Sequence, residues 1–198
     1  MPVVYFSREI RARVITPGGQ PIPGAIVAAN WHVTDWARDS LAQLEIVEVV
    51  TDEDGWFRIP RWGPRFIWYG RLLQSEPTIR VFAPGFVPLV VRNTGPGQIP
   101  KTAGSMIGFR RHGEDLILQP FIGSMLDYED EFFAMNHSLD SIVIPSSSRD
   151  VCLTDEMPRL LNALQKVKDA LEREGAGESI RPVSAYLALC ATNAQRQK

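Results

Sequence analysis

The sequence predicts a mainly β chain with an α-helical C-terminal region: a sandwich of two antiparallel sheets made from about seven short strands, followed by a helical hairpin. Three observations carry that expectation. From residue 5 to about residue 121, apolar side chains recur with period two between Gly, Pro and Asp punctuation, the pattern of half-wet strands joined by tight turns. Beyond Gly123 the period becomes that of a helix. An Asp-Gly step at Asp54-Gly55 divides a Val/Ile-rich run from a short aromatic one, and glycine there supplies the positive φ that a hairpin turn requires. The chain therefore divides into a sandwich over residues 5–121 and a helical extension over residues 122–198.

Taken in order, "REIRARVIT" alternates Ile10, Ala12 and Val14 with Arg11 and Arg13, a strand with one wet face. "PGGQPIPG" is a turn built from residues that fix φ or permit it to be positive. A strand "AIVAANWHV", a polar excursion from Thr34 to Ala42, and a strand "LEIVEVVT" lead to the Asp-Gly turn and "WFRIP". An aromatic, proline-interrupted loop, "RWGPRFIWYGRLLQSEP", separates these from "TIRVFA", "PLVVRN" and "DLILQPF". The segment from Ser124 to His137 reads as a helix, and "VIPSSSRD" as a loop. In "TDEMPRLLNALQKVKDALEREGAG", Thr154 can cap, Asp155 and Glu156 suit the positive end, and Gly175 follows the last turn. Leu160, Leu161, Leu164, Val167 and Leu171 form its apolar stripe. A final helix from about Pro182 presents Val183, Tyr186, Leu187 and Cys190, and should pair with the preceding helix as a hairpin.

Bulk properties exclude several classes. Hydrophobic residues make up 44% of the chain, charged residues 22%, and the net charge is -2, all ordinary for a globular protein. No basic cluster or arginine-rich stripe points to nucleic acid. No apolar run approaches the roughly 18 residues a membrane helix requires. The N-terminus begins on a strand-like run without a charged-then-apolar leader, which leaves a cytosolic protein or an exported one whose leader has been removed. Cys152 and Cys190 lack metal-ligand spacing, so they are either a disulfide or two buried thiols. A straight antiparallel helix pair would hold them on the order of 10 Å apart along the axis. A bridge, which needs Cα atoms within about 7 Å, therefore demands a late helix start or a skewed hairpin.

At "VITPGGQPIPGAIVAANWHV" followed by "VVTDEDGWFRIPRWGP" the chain resembles the carboxypeptidase regulatory-like domain, a prealbumin-like (transthyretin-like) sandwich of Ig-like Greek-key type. The resemblance runs over roughly residues 8–92, with "IRVFAPGFVPL" similar to the family's next strand and its turn. The string "GRLLQSEPTIRVFAPGFVPLVVRN" also looks like a group of uncharacterised bacterial envelope proteins. That likeness implies export, to the periplasm or the cell exterior, with membrane anchoring through a removed leader. It implies no chemistry.

The same sandwich supports enzymes whose site residues have recognisable signatures. Intradiol ring-cleaving dioxygenases resemble the chain at "PIPGAIVAANWH" and "TDEDGWFRI", but hold iron with two tyrosines and a His-x-His pair. Thr78 and Arg80 stand at those histidine places, and Tyr69 alone makes no site. The C-terminal signature of hydroxyisourate hydrolases is missing, and His32, His112 and His137 are far apart in sequence. Asp52, Asp54 and Gly55 could open a calcium loop, but Trp56 and Phe66 occupy later ligand places, which favours a turn. "DYEDEFF" reads as a wet helix face rather than as paired catalytic carboxylates.

The aromatic loop carries the sharpest functional hypothesis. Trp56, Arg61, Trp62, Phe66, Trp68 and Tyr69 bring flat rings and a guanidinium together in one short stretch, suited to stacking on sugars or anchoring a protein partner. The competing reading is that these rings plug the open end of the sandwich. The expectation is thus a non-catalytic binding or structural module, an envelope protein or accessory subunit of a protein assembly, with a carbohydrate-binding module on loop 56–69 as the alternative. No enzymatic activity, cofactor or metal is expected.

Overall fold

The computed structural model describes residues 2–34, 40–68, 70–72, 76–93, 105–143, 156–178, 180–181 and 184–185. Along the chain these form β1 (Val3–Ser7), β2 (Ile10–Ile15), β3 (Ile26–Thr34), β4 (Ser40–Val50), β5 (Trp56–Ile59), β6 (Trp62–Ile67) and β7 (Arg71–Leu72). β8 (Thr78–Phe82), β9 (Leu89–Arg92), β10 (Ser105–Ile107), β11 (Asp115–Ile117), α1 (Met125–Val143) and α2 (Pro158–Arg173) follow. The protein is mainly β with a helical C-terminal region. Among the described residues, no helix is long and apolar enough to cross a membrane.

The strands form three sheets, ordered β10-β1-β6, β11-β2-β5 and β4-β3-β8-β9, with β7 also on β3. In the first, β1 pairs antiparallel with β6 and parallel with β10; in the second, β2 pairs antiparallel with β5 and parallel with β11. Since β1 leads into β2, β5 into β6 and β10 into β11, the two small sheets continue one another.

The third sheet is covered on both faces. Along β3, Val27, Ala29, Trp31 and Val33 enter the core shared with Ile10, Ala12, Val14, Phe57, Ile59 and Leu116. Ala28, on the opposite face, joins Ile46, Phe82 and the helices. This is why "AIVAAN" lacks polar alternation: a strand buried on both sides reads as a continuous apolar run. All five residues of β8 are buried. The helical side contributes Tyr128, Phe132, Met135 and Leu139 from α1 and Leu160, Leu161, Leu164 and Leu171 from α2.

Local chemistry fixes the element ends. The Asp52 carboxylate accepts the N–H groups of Asp54 at 3.1 Å and Trp56 at 2.8 Å, so it closes a turn. Gly55 has φ +78° there, and a β-carbon would stand 2.5 Å from the Val14 carbonyl oxygen. At the start of α1, Ser124 and Asp127 form a reciprocal cap: the Ser124 N–H donates to the Asp127 carboxylate (2.8 Å), and the Asp127 N–H to the Ser124 hydroxyl (3.3 Å). These bonds from the Ser124 hydroxyl and backbone hold the Asp127 carboxyl below its usual range. α2 ends at Gly175, where the Ala176 N–H reaches Leu171 O and the Gly175 N–H reaches Glu172 O, the paired bonds of a Schellman motif.

The structure departs from expectation in one place and adds a long-range contact in another. The proline-interrupted aromatic segment is partly a strand, and Pro64 lies where the β1–β6 register shifts between Tyr5 and Ser7, an irregularity of the kind at which a strand tolerates proline. α2 begins at Pro158, and its first N–H groups are met from β4: the Glu48 carboxylate accepts Arg159 N–H at 3.1 Å and Leu160 N–H at 2.7 Å. α2 packs with α1 on the sheet. The expected hairpin partner with Val183, Tyr186, Leu187 and Cys190 lies outside the described residues, as do Thr154, Asp155, Cys152 and most of the "VIPSSSRD" segment.

Candidate functional site

The aromatic stretch is distributed along the strands. Trp56, half-buried on β5, faces Arg13 in the ladder and carries the Arg11 guanidinium 4.4 Å above its ring. Trp62, half-buried on β6, meets Trp31 edge-on in the core, with ring centroids 5.2 Å apart and planes at 86°. Arg61 is exposed, and Phe66 and Trp68 are 56% and 81% exposed. Tyr69 lies outside the described residues. Trp56 pairs opposite Arg13 and Phe66 opposite Val4, places that a straight strand would set on the order of 30 Å apart. Trp62 thus serves the core, while Phe66 and Trp68 present rings outward and Trp56 sits under a cation far from them.

The histidines go to separate places. His112 Nδ1 accepts the Arg11 N–H at 3.1 Å, and His137 stacks on Phe133 with centroids 5.8 Å apart. His32, on the helix-facing side of β3, brings Nδ1 to 2.5 Å from Glu76 Oε1. The side chain of Glu76 is only 1% exposed and that of His32 15%. The approach is close but misaligned, so His32 Nδ1 and both Glu76 carboxylate oxygens lack a protein hydrogen bond of ordinary geometry. The Glu76 backbone is held by Asn93, whose Nδ2 donates to Glu76 O at 2.7 Å and Gly108 O at 2.9 Å. Thr78 and Arg80 are buried in β8; the Arg80 guanidinium donates to the Asn30 side chain, the Ser138 hydroxyl and the Ser138 carbonyl, tying the sheet to α1. Among the described residues, no group of three or more His, Cys, Asp or Glu side chains could hold a metal.

A cleft of about 710 Å³ opens between the third sheet and the helical layer. Gly24 and Ile26 line it from the start of β3, Phe82, Pro84 and Gly85 from the end of β8, and Phe121, Gly123, Met125 and Tyr128 from the entry to α1. α2 closes it with Arg159, Asn162, Ala163, Lys166, Val167 and Ala170. These positions recur every three or four residues, so they share a face adjacent to the leucine stripe that docks the helix. The Tyr128 hydroxyl donates to Phe86 O at 2.8 Å, and burial pushes its phenol up to about 12. Phe121 and Tyr128 meet edge-on with centroids 4.7 Å apart, giving one wall of the cleft fixed aromatic shape.

The cleft has no single local signature in the sequence. Its α2 signal was present as a second stripe of small, polar and basic residues beside the leucines. Its other walls come from Gly24, Pro84 and Phe121, which local patterning assigns to turns and strand ends.

No family model and no curated protein matches the chain. Solved structures that it is similar to include catechol 1,2-dioxygenase from Pseudomonas arvilla C-1, at 17% identity over 61% of this chain and 53% of that one, with a TM-score of 0.36. The 3-chlorocatechol 1,2-dioxygenase from Rhodococcus opacus 1CP shows 13% identity over 60% of each chain with a TM-score of 0.34. Hydroxyquinol 1,2-dioxygenase from Pseudomonas putida DLL-E4 shows 14% identity over 60% and 57%, also with a TM-score of 0.34. The matched part spans 53% to 60% of these structures.

This finding corrects the expected function. Five of the solved structures found are catechol, chlorocatechol or hydroxyquinol 1,2-dioxygenases, and the expectation of a non-catalytic binding or structural module is withdrawn. The carbohydrate-binding alternative on loop 56–69 and the statement that the chain is not an enzyme fall with it. At these TM-scores the likeness transfers no iron, substrate or reaction to this chain.

Proposed function

We propose that the chain handles a small apolar organic molecule, taken into the cleft between the third sheet and α2. An enzyme's substrate pocket and a carrier's ligand pocket make the same physical demand: a concave, mostly apolar wall of some hundreds of Å³ with a few polar groups. The observation that carries the reading is the cleft itself, about 710 Å³ and walled by Ile26, Phe82, Pro84, Phe121, Met125 and Val167.

The scaffold supporting it is, in this proposal, a seven-stranded prealbumin-type sandwich of the carboxypeptidase regulatory-like kind. If β1–β2, β5–β6 and β10–β11 each count as one interrupted strand, they make one layer of three, and β3, β4, β8 and β9 make the other. The motif order over residues 8–92 supports the same assignment, and the likeness of residues 70–93 to bacterial envelope proteins supports export.

The test is titration with a neutral apolar fluorophore such as Nile red. Saturable one-to-one binding is expected, and its loss in Ala163→Trp, which fills the cleft from α2. Asn162→Trp is the second variant, placed on an exposed lining residue where folding is undisturbed. Unchanged binding in both folded variants would refute the assignment.

A further inference from the structure

Resting on the cleft reading, we infer that the molecule it takes is an apolar acid, a single carboxylate on a hydrophobic body, held through Arg159 and Lys166. Of the fifteen residues lining the cleft, only these two carry a charge, and both are cationic. They stand two helical turns apart on the same face of α2, about 10 Å along the axis. Their exposed side chains are long enough to bring both heads toward one anionic group.

Among the described residues, neither head has an anionic partner of its own. Two neighbouring carboxylates already accept other hydrogen bonds. Glu48 accepts the backbone N–H groups of Arg159 and Leu160, and Asp127, beside Gly123, is held by the Ser124 N–H and hydroxyl. Lys168, the other cation on this helix turn, points away: its Nζ donates to Gly177 O at 2.8 Å and pairs with Glu172 at 2.9 Å. Two unpaired cations above aromatic and aliphatic walls match an amphipathic anion. A neutral hydrocarbon would leave that charge unused, and a cation would be repelled.

The experiment compares cis-parinaric acid with its methyl ester by fluorescence titration on the full chain. Wild type is expected to bind the acid at least about tenfold more tightly than the ester, the scale of one hydrogen-bonded charge pair. In Arg159→Gln/Lys166→Gln the acid's affinity should fall to that of the ester, with the ester unchanged. Equal binding of acid and ester, both lost in Ala163→Trp, would overturn the acid inference and leave the cleft reading standing. Failure of both to bind wild type, or survival of both in Ala163→Trp, would overturn the cleft reading itself.

Discussion

The carboxylate of Glu48, midway along β4, caps α2 by accepting the Leu160 N–H at 2.7 Å, across more than a hundred residues of chain. It does the work that a local Ser, Thr or Asp usually does at a helix start, since Met157 makes no side-chain cap. Because the same carboxylate accepts the Arg159 N–H at 3.1 Å, it also sets where the cationic end of the cleft stands. Each buried leucine of α2 contributes roughly 1.5–3 kcal/mol. Docking of the helix therefore rests on Leu160, Leu161, Leu164 and Leu171, while Glu48 fixes the register in which it docks. Glu48→Ala is expected to cost about 1–2 kcal/mol, read as a lower urea midpoint, with Glu48→Gln between it and wild type. A midpoint unchanged in Glu48→Ala would show that the cap contributes nothing.

Gly55→Ala should be among the most damaging single-methyl changes in the β region. The residue sits at φ +78°, and the added carbon would stand 2.5 Å from Val14 O and 3.2 Å from Pro21. Strain of this kind costs about 1–3 kcal/mol. Thermal unfolding measures it, and Gly19→Ala, at φ +79° with nothing within 4 Å, separates the backbone contribution from the clash.

His32 and Glu76 should be energetically coupled despite their poor alignment. Removing either partner leaves a buried polar group without its neighbour, whereas removing both takes away the pair together. Denaturation of His32→Ala, Glu76→Ala and the double variant is expected to give a coupling of about 1–3 kcal/mol. Strict additivity would mean that the two side chains are merely adjacent.

Tyr128 should impose an alkaline limit on stability. Its folded value is pushed to about 12 against an ordinary 10, so the native state favours the neutral phenol more strongly than the unfolded chain does. That contribution is whole below about pH 10 and is lost as pH rises toward 12. Urea midpoints at pH 9 and pH 11 should therefore fall further for wild type than for Tyr128→Phe. Equal falls would remove Tyr128 as the cause.

Much of the β region was legible because its signals are local. Ile10, Ala12 and Val14 alternate inward, Gly55 closes its turn, and Gly175 ends α2, each decided by neighbours in sequence. β6 was hidden because Pro64 and Gly63 argue against a strand until a β-bulge accommodates them. The Glu48 cap on α2 was hidden because it comes from β4, distant in sequence. The cleft was less legible still: its walls are assembled from β3, β8, the α1 entry and α2, and no local period links Gly24 to Lys166.

The double cover of the third sheet has an outcome for anyone who shortens this protein. A chain stopped at Phe121 would keep its strands yet strip Ala28, Ile46 and Phe82 of the layer above them, and Arg80 of Ser138. What had been interior would become a greasy, cation-bearing plate open to water, and such plates stick to one another. The helices cover the third sheet, and without them its bared face is expected to drive aggregation.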